Sequence, residues 1–161
     1  MRTGFFAPGS VVWDLQSGNK YDAIRETIHR TTIFRNIPNL DVHQFTETVV
    51  AREREQSTGF GRGIAIAHGR SAIVPTSAVA LGISRQGIEY NSFDNLPVHI
   101  LFVVASHPDR QIDYLRILSS LATLGRSDIF RQEVLSCLCQ EEVERKVHTA
   151  FNGLFSRAAT S

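Results

Sequence analysis

Residues 57–70 read STGFGRGIAIAHGR, and the change of character within this stretch sets the organisation of the chain. Gly59, Gly61 and Gly63 crowd into five residues and spell a tight, backbone-exposed turn rather than a regular element. Residues 64–66 then open a short apolar strand that ends at His68, followed at once by Gly69 and Arg70. Successive backbone N–H groups in a glycine turn can converge on an anion without any side-chain charge, although the Gly-Lys-Ser/Thr ending of a P-loop is missing. An imidazole at a strand end, beside glycines and arginines, suits a nucleophilic nitrogen approached in line by a second protein. Ser57, Thr58, Gly59, Gly61, Gly69 and Arg70 are the candidate phosphate-binding residues around it, and Arg52 is a further cationic donor. The plainer alternative is a hydrogen-bonded packing histidine.

Outward from this stretch, helical spacing dominates on the N-terminal side. Ser17 or Asn19 caps a helix through about Phe34, with Tyr21, Ile24 and Ile28 on one face, and residues 36–39 with Pro38 end it. Asp41 caps a second helix whose buried stripe is Val42, Phe45 and Val49. Its closing run, Arg52, Glu53, Arg54 and Glu55, reads as a solvated face. Residues 11–15, VVWDL, add a short strand or a packed aromatic, and residues 1–10 form a flexible lead-in.

On the C-terminal side, residues 78–83 and 98–104 read as strands, the second covered on both faces, and QGIEYNSFDNLP between them reads as a polar hairpin or loop. From Gln111 the period is helical, with Ile112, Leu115, Leu118 and Ala122 on one side and Gly125 as the stop. Ser127 starts a short helix with Phe130, Val134 and Leu138 inward. The last helix, from about Gln140, carries Val143, Val147, Phe151 and Leu154, and residues 156–161 are a flexible tail. Helices on either side of a small apolar sheet make an α/β sandwich, one domain over residues 11–155.

Composition narrows the partners. The 161 residues are 42% hydrophobic and 20% charged with a formal net charge of +1, which supplies no overall attraction for nucleic acid. No apolar run has the length of a membrane span or of a signal-peptide core, so a cytoplasmic location is expected. Cys137 and Cys139 lie two apart in a segment that reads as helix, where their side chains diverge, and no second Cys or His pair stands at zinc-ligand spacing. No metal and no organic cofactor is expected. His29, His43, His99 and His148 read as surface or packing residues and His107 as a loop histidine.

The 57–70 motif resembles the active-site signature of the phosphotransferase-system IIA family of the fructose and mannitol type, which includes the nitrogen-regulatory IIA proteins. REREQSTG before it, then SAVALGI, GIEYNSFDNLPVHILFVVA, YLRILSSLATL and FRQEVLSCLCQEEVERKV, follow the family order over nearly the whole chain. The resemblance implies a single domain with a mixed sheet of about five strands flanked by helices on both sides. It further implies a phosphoryl group accepted on His68 from an HPr-type phosphohistidine carrier, with Arg52 beside it, and no nucleic-acid or membrane partner. Two positions depart from the family pattern: Ala67 stands where proline is usual before the histidine, and Tyr114 stands where a second active-site histidine is common. Tyr114 is thus the third candidate for the catalytic set, able to donate one hydrogen bond but not to carry positive charge near neutral pH. Because no IIB or membrane segment accompanies the domain, the expected role is regulation of nitrogen or carbon metabolism, through target proteins. The alternatives are transfer to a separate IIB component of a sugar transporter, or a protein-binding module that is never phosphorylated.

Overall fold

The computed structural model describes residues 6–160, with side chains through Phe155. The elements are β1 (Val11–Val12), α1 (Lys20–Arg30), α2 (Val42–Glu55), β2 (Gly59–Gly61), β3 (Ile64–Arg70), β4 (Ala78–Ile88), β5 (Val98–Ser106), α3 (Gln111–Arg126), α4 (Asp128–Ser136) and α5 (Gln140–Thr160). The strands form one mixed sheet in the order β1-β4-β5-β3-β2. β3 runs parallel to β5, β1 runs parallel to β4, and the β4/β5 and β2/β3 pairs are antiparallel. This is the expected single-domain α/β architecture.

Two cores lie on opposite faces of the sheet, and β3 shows how its sequence sorts them. Ala65 and Ala67 face α1 and α2, while Ile64 and Ile66 face the helices α3 to α5. With a two-residue period, His68 continues the isoleucine row and Gly69 the alanine row. A Cβ on Gly69 would lie 2.8 Å from Val49 Cγ2 and 3.1 Å from Phe45 Cε1. The small row therefore lets α2 pack close to the strand, and the large row builds the other core.

Several boundaries differ from the sequence expectation, each for a local reason. Asn19 is the cap of α1, accepting from Asp22 N, but the helix stops at Arg30 rather than near Phe34. There Thr31 Oγ1 donates back to the Thr27 carbonyl, and Ile33 and Phe34 are buried by turns instead. The glycine turn contains β2, and the reversal is confined to Gly61, Arg62 and Gly63, whose positive φ angles of 94°, 57° and 81° favour glycine at two of the three places. β3 extends through Arg70, so His68 lies inside the strand, and β4 extends to Ile88, taking in the first part of the expected loop.

In α3 the inward face is Tyr114, Ile117, Leu121 and Leu124, whereas Ile112 and Leu115 are exposed. The apolar residues fit two helical phases, and packing on the sheet selects the one that includes Gly125. That residue is a contact point inside the helix, where a Cβ would sit 3.3 Å from the Ile64 side chain, and not its stop. Leu138 is exposed because α4 ends at Ser136. Cys137 and Cys139 consequently lie between two helices rather than within one, the first buried and the second exposed, both free.

Residues 6–10, expected to be part of a flexible lead-in, are packed. Phe6 is buried edge-on against Phe102 and Phe151, and the Gly9 carbonyl accepts from Thr32 N. Residues 156–160, expected as tail, continue α5. Residues 1–5 and Ser161 lie outside the described residues.

Candidate functional site

His68 sits two residues from the end of β3, paired with Val104 of β5, with its ring on the α3 side of the sheet. Tyr114, in the first turn of α3, places its ring centroid 5.4 Å from that of His68 at an interplanar angle of 58°. Arg70 projects from the same strand face two residues on, and its guanidinium carbon lies 5.8 Å from the Tyr114 ring centroid. Arg52, in the last turn of α2, completes the set. Both arginines are exposed, while Tyr114 is buried.

The electrostatics favour a neutral imidazole. Burial pushes the His68 pKa below its ordinary value and the positive charges of Arg52 and Arg70 push it further, while the Ile66 backbone and the Glu53 charge pull the other way without reversing the shift. His68 Nδ1 is buried without a hydrogen-bond partner, which leaves the Nε2 side as the accessible one. The phenol of Tyr114 is pushed above its usual pKa by burial, with Arg52 and Arg70 pulling the other way, so it stays protonated at neutral pH.

Residues 57–59 are bonded to interior groups, and Arg62 to a surface carboxylate. Thr58 N donates to Glu53 Oε2 at 2.9 Å, and the Thr58 hydroxyl donates to Glu53 Oε1. Ser57 Oγ donates to the Tyr90 carbonyl at 3.3 Å and accepts from Gly59 N at 3.2 Å. Arg62 N donates to Asp94 Oδ2 at 2.8 Å. The N–H groups of Thr58, Gly59 and Arg62 thus have partners within the fold and do not converge as an open anion nest. Gly69 faces α2, on the opposite side of the strand from the imidazole.

Glu53 is the residue that sequence reasoning missed. Placed in a solvated charge run, it is 1% exposed and also accepts from the Tyr90 hydroxyl at 3.2 Å and Lys20 Nζ at 3.3 Å. The signal was present in the spacing, because Phe45, Val49 and Glu53 follow one another at four-residue intervals on the inward stripe. Burial and the neighbouring Glu53 charge hold the Tyr90 phenol well above its ordinary pKa.

Other histidines have local partners. His107 Nδ1 accepts from Asp109 N at 2.9 Å, His99 Nδ1 donates to the Ser84 carbonyl at 2.8 Å, and His148 Nδ1 lies 3.3 Å from the Phe6 carbonyl. Among the described residues no group of three His, Cys, Asp or Glu side chains converges as a metal site, and no helix is long and apolar enough to cross a membrane.

A family model described as phosphoenolpyruvate-dependent sugar phosphotransferase system, EIIA 2 matches residues 4–147. The chain belongs to that family. It is similar to a nitrogen regulatory protein of Pseudomonas aeruginosa, 29% identical over 147 residues that cover 91% of this chain and 94% of the relative. It is also 32% identical over 140 residues to the fructose-specific EIIABC component of Bacillus subtilis; the match covers 86% of this chain but 21% of that protein. The chain therefore spans about a fifth of that relative's length. Among solved structures, the nitrogen regulatory protein IIA-Ntr of Neisseria meningitidis superposes with a TM-score of 0.81 at 26% identity, covering 90% of this chain and 97% of the other. This IIA domain thus shares its fold and most of its length with nitrogen-regulatory relatives, and its sequence also resembles a fructose-type IIA.

Proposed function

We propose that this IIA domain is a phosphoryl carrier that accepts a phosphoryl group on His68 from an HPr-type phosphohistidine protein and acts mainly in regulation of nitrogen and carbon metabolism. The observation that carries the reading is an imidazole near the end of the central parallel strand pair, beside Tyr114 and Arg70 and within the electrostatic reach of Arg52, whose charges favour its neutral form. A neutral ring has a free lone pair. The same arginines that lower its proton affinity stand ready to meet the oxygens of the transferred group with charge-assisted hydrogen bonds.

In the transfer, the lone pair of Nε2 forms the new P–N bond as the donor's P–N bond breaks, and the donor imidazole leaves with that electron pair. The protein's part is alignment and charge balance on the equatorial oxygens. Ser57, Thr58, Gly59 and Gly61 support the site by fixing the loop that runs from α2 to β3, and Gly69 supports it by letting α2, which carries Arg52, approach the strand. Tyr114 adds no charge near neutral pH. This chemistry needs no metal or organic cofactor, and phosphoenolpyruvate as the ultimate donor puts it in the cytoplasm.

The regulatory role is supported by the two nitrogen-regulatory relatives, which match over most of their own lengths. A second reading, onward transfer to the IIB component of a sugar transporter, is supported by the identity with the fructose-specific protein. Incubation with a phosphoenolpyruvate-driven phosphorelay should label the wild-type chain with an acid-labile phosphoryl group and leave His68→Ala unlabelled. Label retained by the variant would refute the assignment. Rapid loss of label to a fructose-type IIB would favour the transport reading, and retention would favour regulation.

A further inference from the structure

We propose that Tyr114 is a positioning residue whose ring face holds the Arg70 guanidinium beside His68. The inference rests on the reading of His68 as the phosphoryl acceptor and explains how one of its two cations is kept in place.

The geometry is a layered one. Tyr114 is 5% exposed and anchored in α3, with the His68 ring 5.4 Å away and the Arg70 guanidinium carbon 5.8 Å away, both measured to its centroid. Arg70 is the last residue of β3, exposed, and its side chain makes no ion pair and no hydrogen bond with the described residues. Its contact with the Tyr114 ring is therefore what restricts a side chain with many rotamers. A cation attracted to the negative face of an aromatic ring at an exposed site is favoured by about two- to fivefold in population.

The hydroxyl is not the working part. It makes no hydrogen bond with any described residue, so nothing fixes its direction toward the imidazole. What the buried ring does provide is a rigid surface, which an aliphatic residue of similar size would lack. The charged and titratable groups that act on His68 are Arg52 and Glu53 from α2, Arg70 from its own strand and Tyr114 from α3. Only Arg70 among them depends on Tyr114 for its place.

The test is an NMR titration of the His68 ring protons in the full chain, which needs no phosphorylation and so stands apart from the functional assignment. Tyr114→Phe keeps the ring face and is expected to titrate as the wild type. Tyr114→Leu should raise the His68 pKa in the same direction as Arg70→Gln and slow phosphoryl acceptance about two- to fivefold. Tyr114→Met, which fills the space with a flexible side chain lacking a ring face, should behave as Tyr114→Leu and serves if the leucine variant does not fold. In an Arg70→Gln background the leucine substitution should add no further shift. A Phe variant that titrates like the Leu variant would overturn the proposal in favour of the hydroxyl. A Leu shift of undiminished size in the Arg70→Gln background would overturn it in favour of altered solvation. Absence of label on His68 with the titrations intact would sink the carrier function and leave the positioning role standing.

Discussion

Replacing Glu53 should separate a buried acceptor from a buried charge. Its Oε2 accepts from Thr58 N and Lys20 Nζ, and its Oε1 accepts from the hydroxyls of Thr58 and Tyr90. Glu53→Ala leaves Thr58 N without its acceptor and the Thr58 and Tyr90 hydroxyls only each other, 3.0 Å apart, and it strands the Lys20 ammonium, whose side chain is 12% exposed. Breaking a buried pair in this way costs about 3 to 5 kcal/mol. Glu53→Gln has a milder solution. Its amide oxygen can take the Oε2 place, keeping Thr58 N and Lys20, while its NH2 faces two hydroxyls that can rotate to accept. Only the charge assistance is lost, about 1 to 2 kcal/mol. Urea unfolding followed by circular dichroism measures both. With a slope of about 2 kcal/mol/M, the alanine midpoint should fall by about 1.5 to 2.5 M and the glutamine midpoint by less than about 1 M, with unchanged slope. A loss below about 1 kcal/mol for the alanine variant, or equal losses for the two, would refute the reasoning.

Three further outcomes follow from the site. Gly69→Ala puts a methyl group 2.8 Å from Val49 Cγ2, so unfolding experiments should show a loss of about 1 to 3 kcal/mol, and an unchanged midpoint would mean that α2 yields freely. Arg52→Gln removes the cation with the larger effect on His68, so its pKa by NMR should rise toward the ordinary histidine value; no rise would place the guanidinium elsewhere in solution. Because the folded His68 pKa is lowered, the native state binds fewer protons than the unfolded chain. Its contribution to stability is therefore complete above the unfolded value of about 6.5 and is lost as pH falls through the lower native value. Urea midpoints measured from pH 7.5 down to pH 5 should fall more steeply for wild type than for His68→Gln, and parallel curves would contradict this.

The fold was legible where one pattern had one solution. Asp41 as a cap, the apolar runs of β4 and β5, and the alternation of β3 could be satisfied only by a helix and by strands. It was less legible where two phases competed. In α3 the apolar residues fit either of two faces, and contact between Gly125 and Ile64 decided between them, which no local pattern reveals. Of the candidate residues, the structure brings His68, Arg52, Arg70 and Tyr114 together. At residues 57–61 the N–H groups of Thr58 and Gly59 are bonded within the fold, because glycine density announces backbone freedom but not what the freed N–H groups will face. Their partner, Glu53, was hidden by its charge: a residue type that is rarely buried concealed a position on the buried stripe.

The two-residue strand β1 has a consequence out of proportion to its length. It covers the outer edge of β4 by parallel pairing at Leu81 and Gly82, extended by bonds from Leu81 N to the Ser10 carbonyl and from Leu15 N to the Ile83 carbonyl. A row of unpaired N–H and C=O groups along that edge would be a template for another chain, and the apolar run of β4 would make the template sticky. The N-terminal segment thus acts as a built-in guard against intermolecular strand addition. Its contacts join parts of the chain about 70 residues apart in sequence, so the edge is covered only once the chain has closed that loop. Until that closure is made, the edge of β4 is open to a strand from another copy.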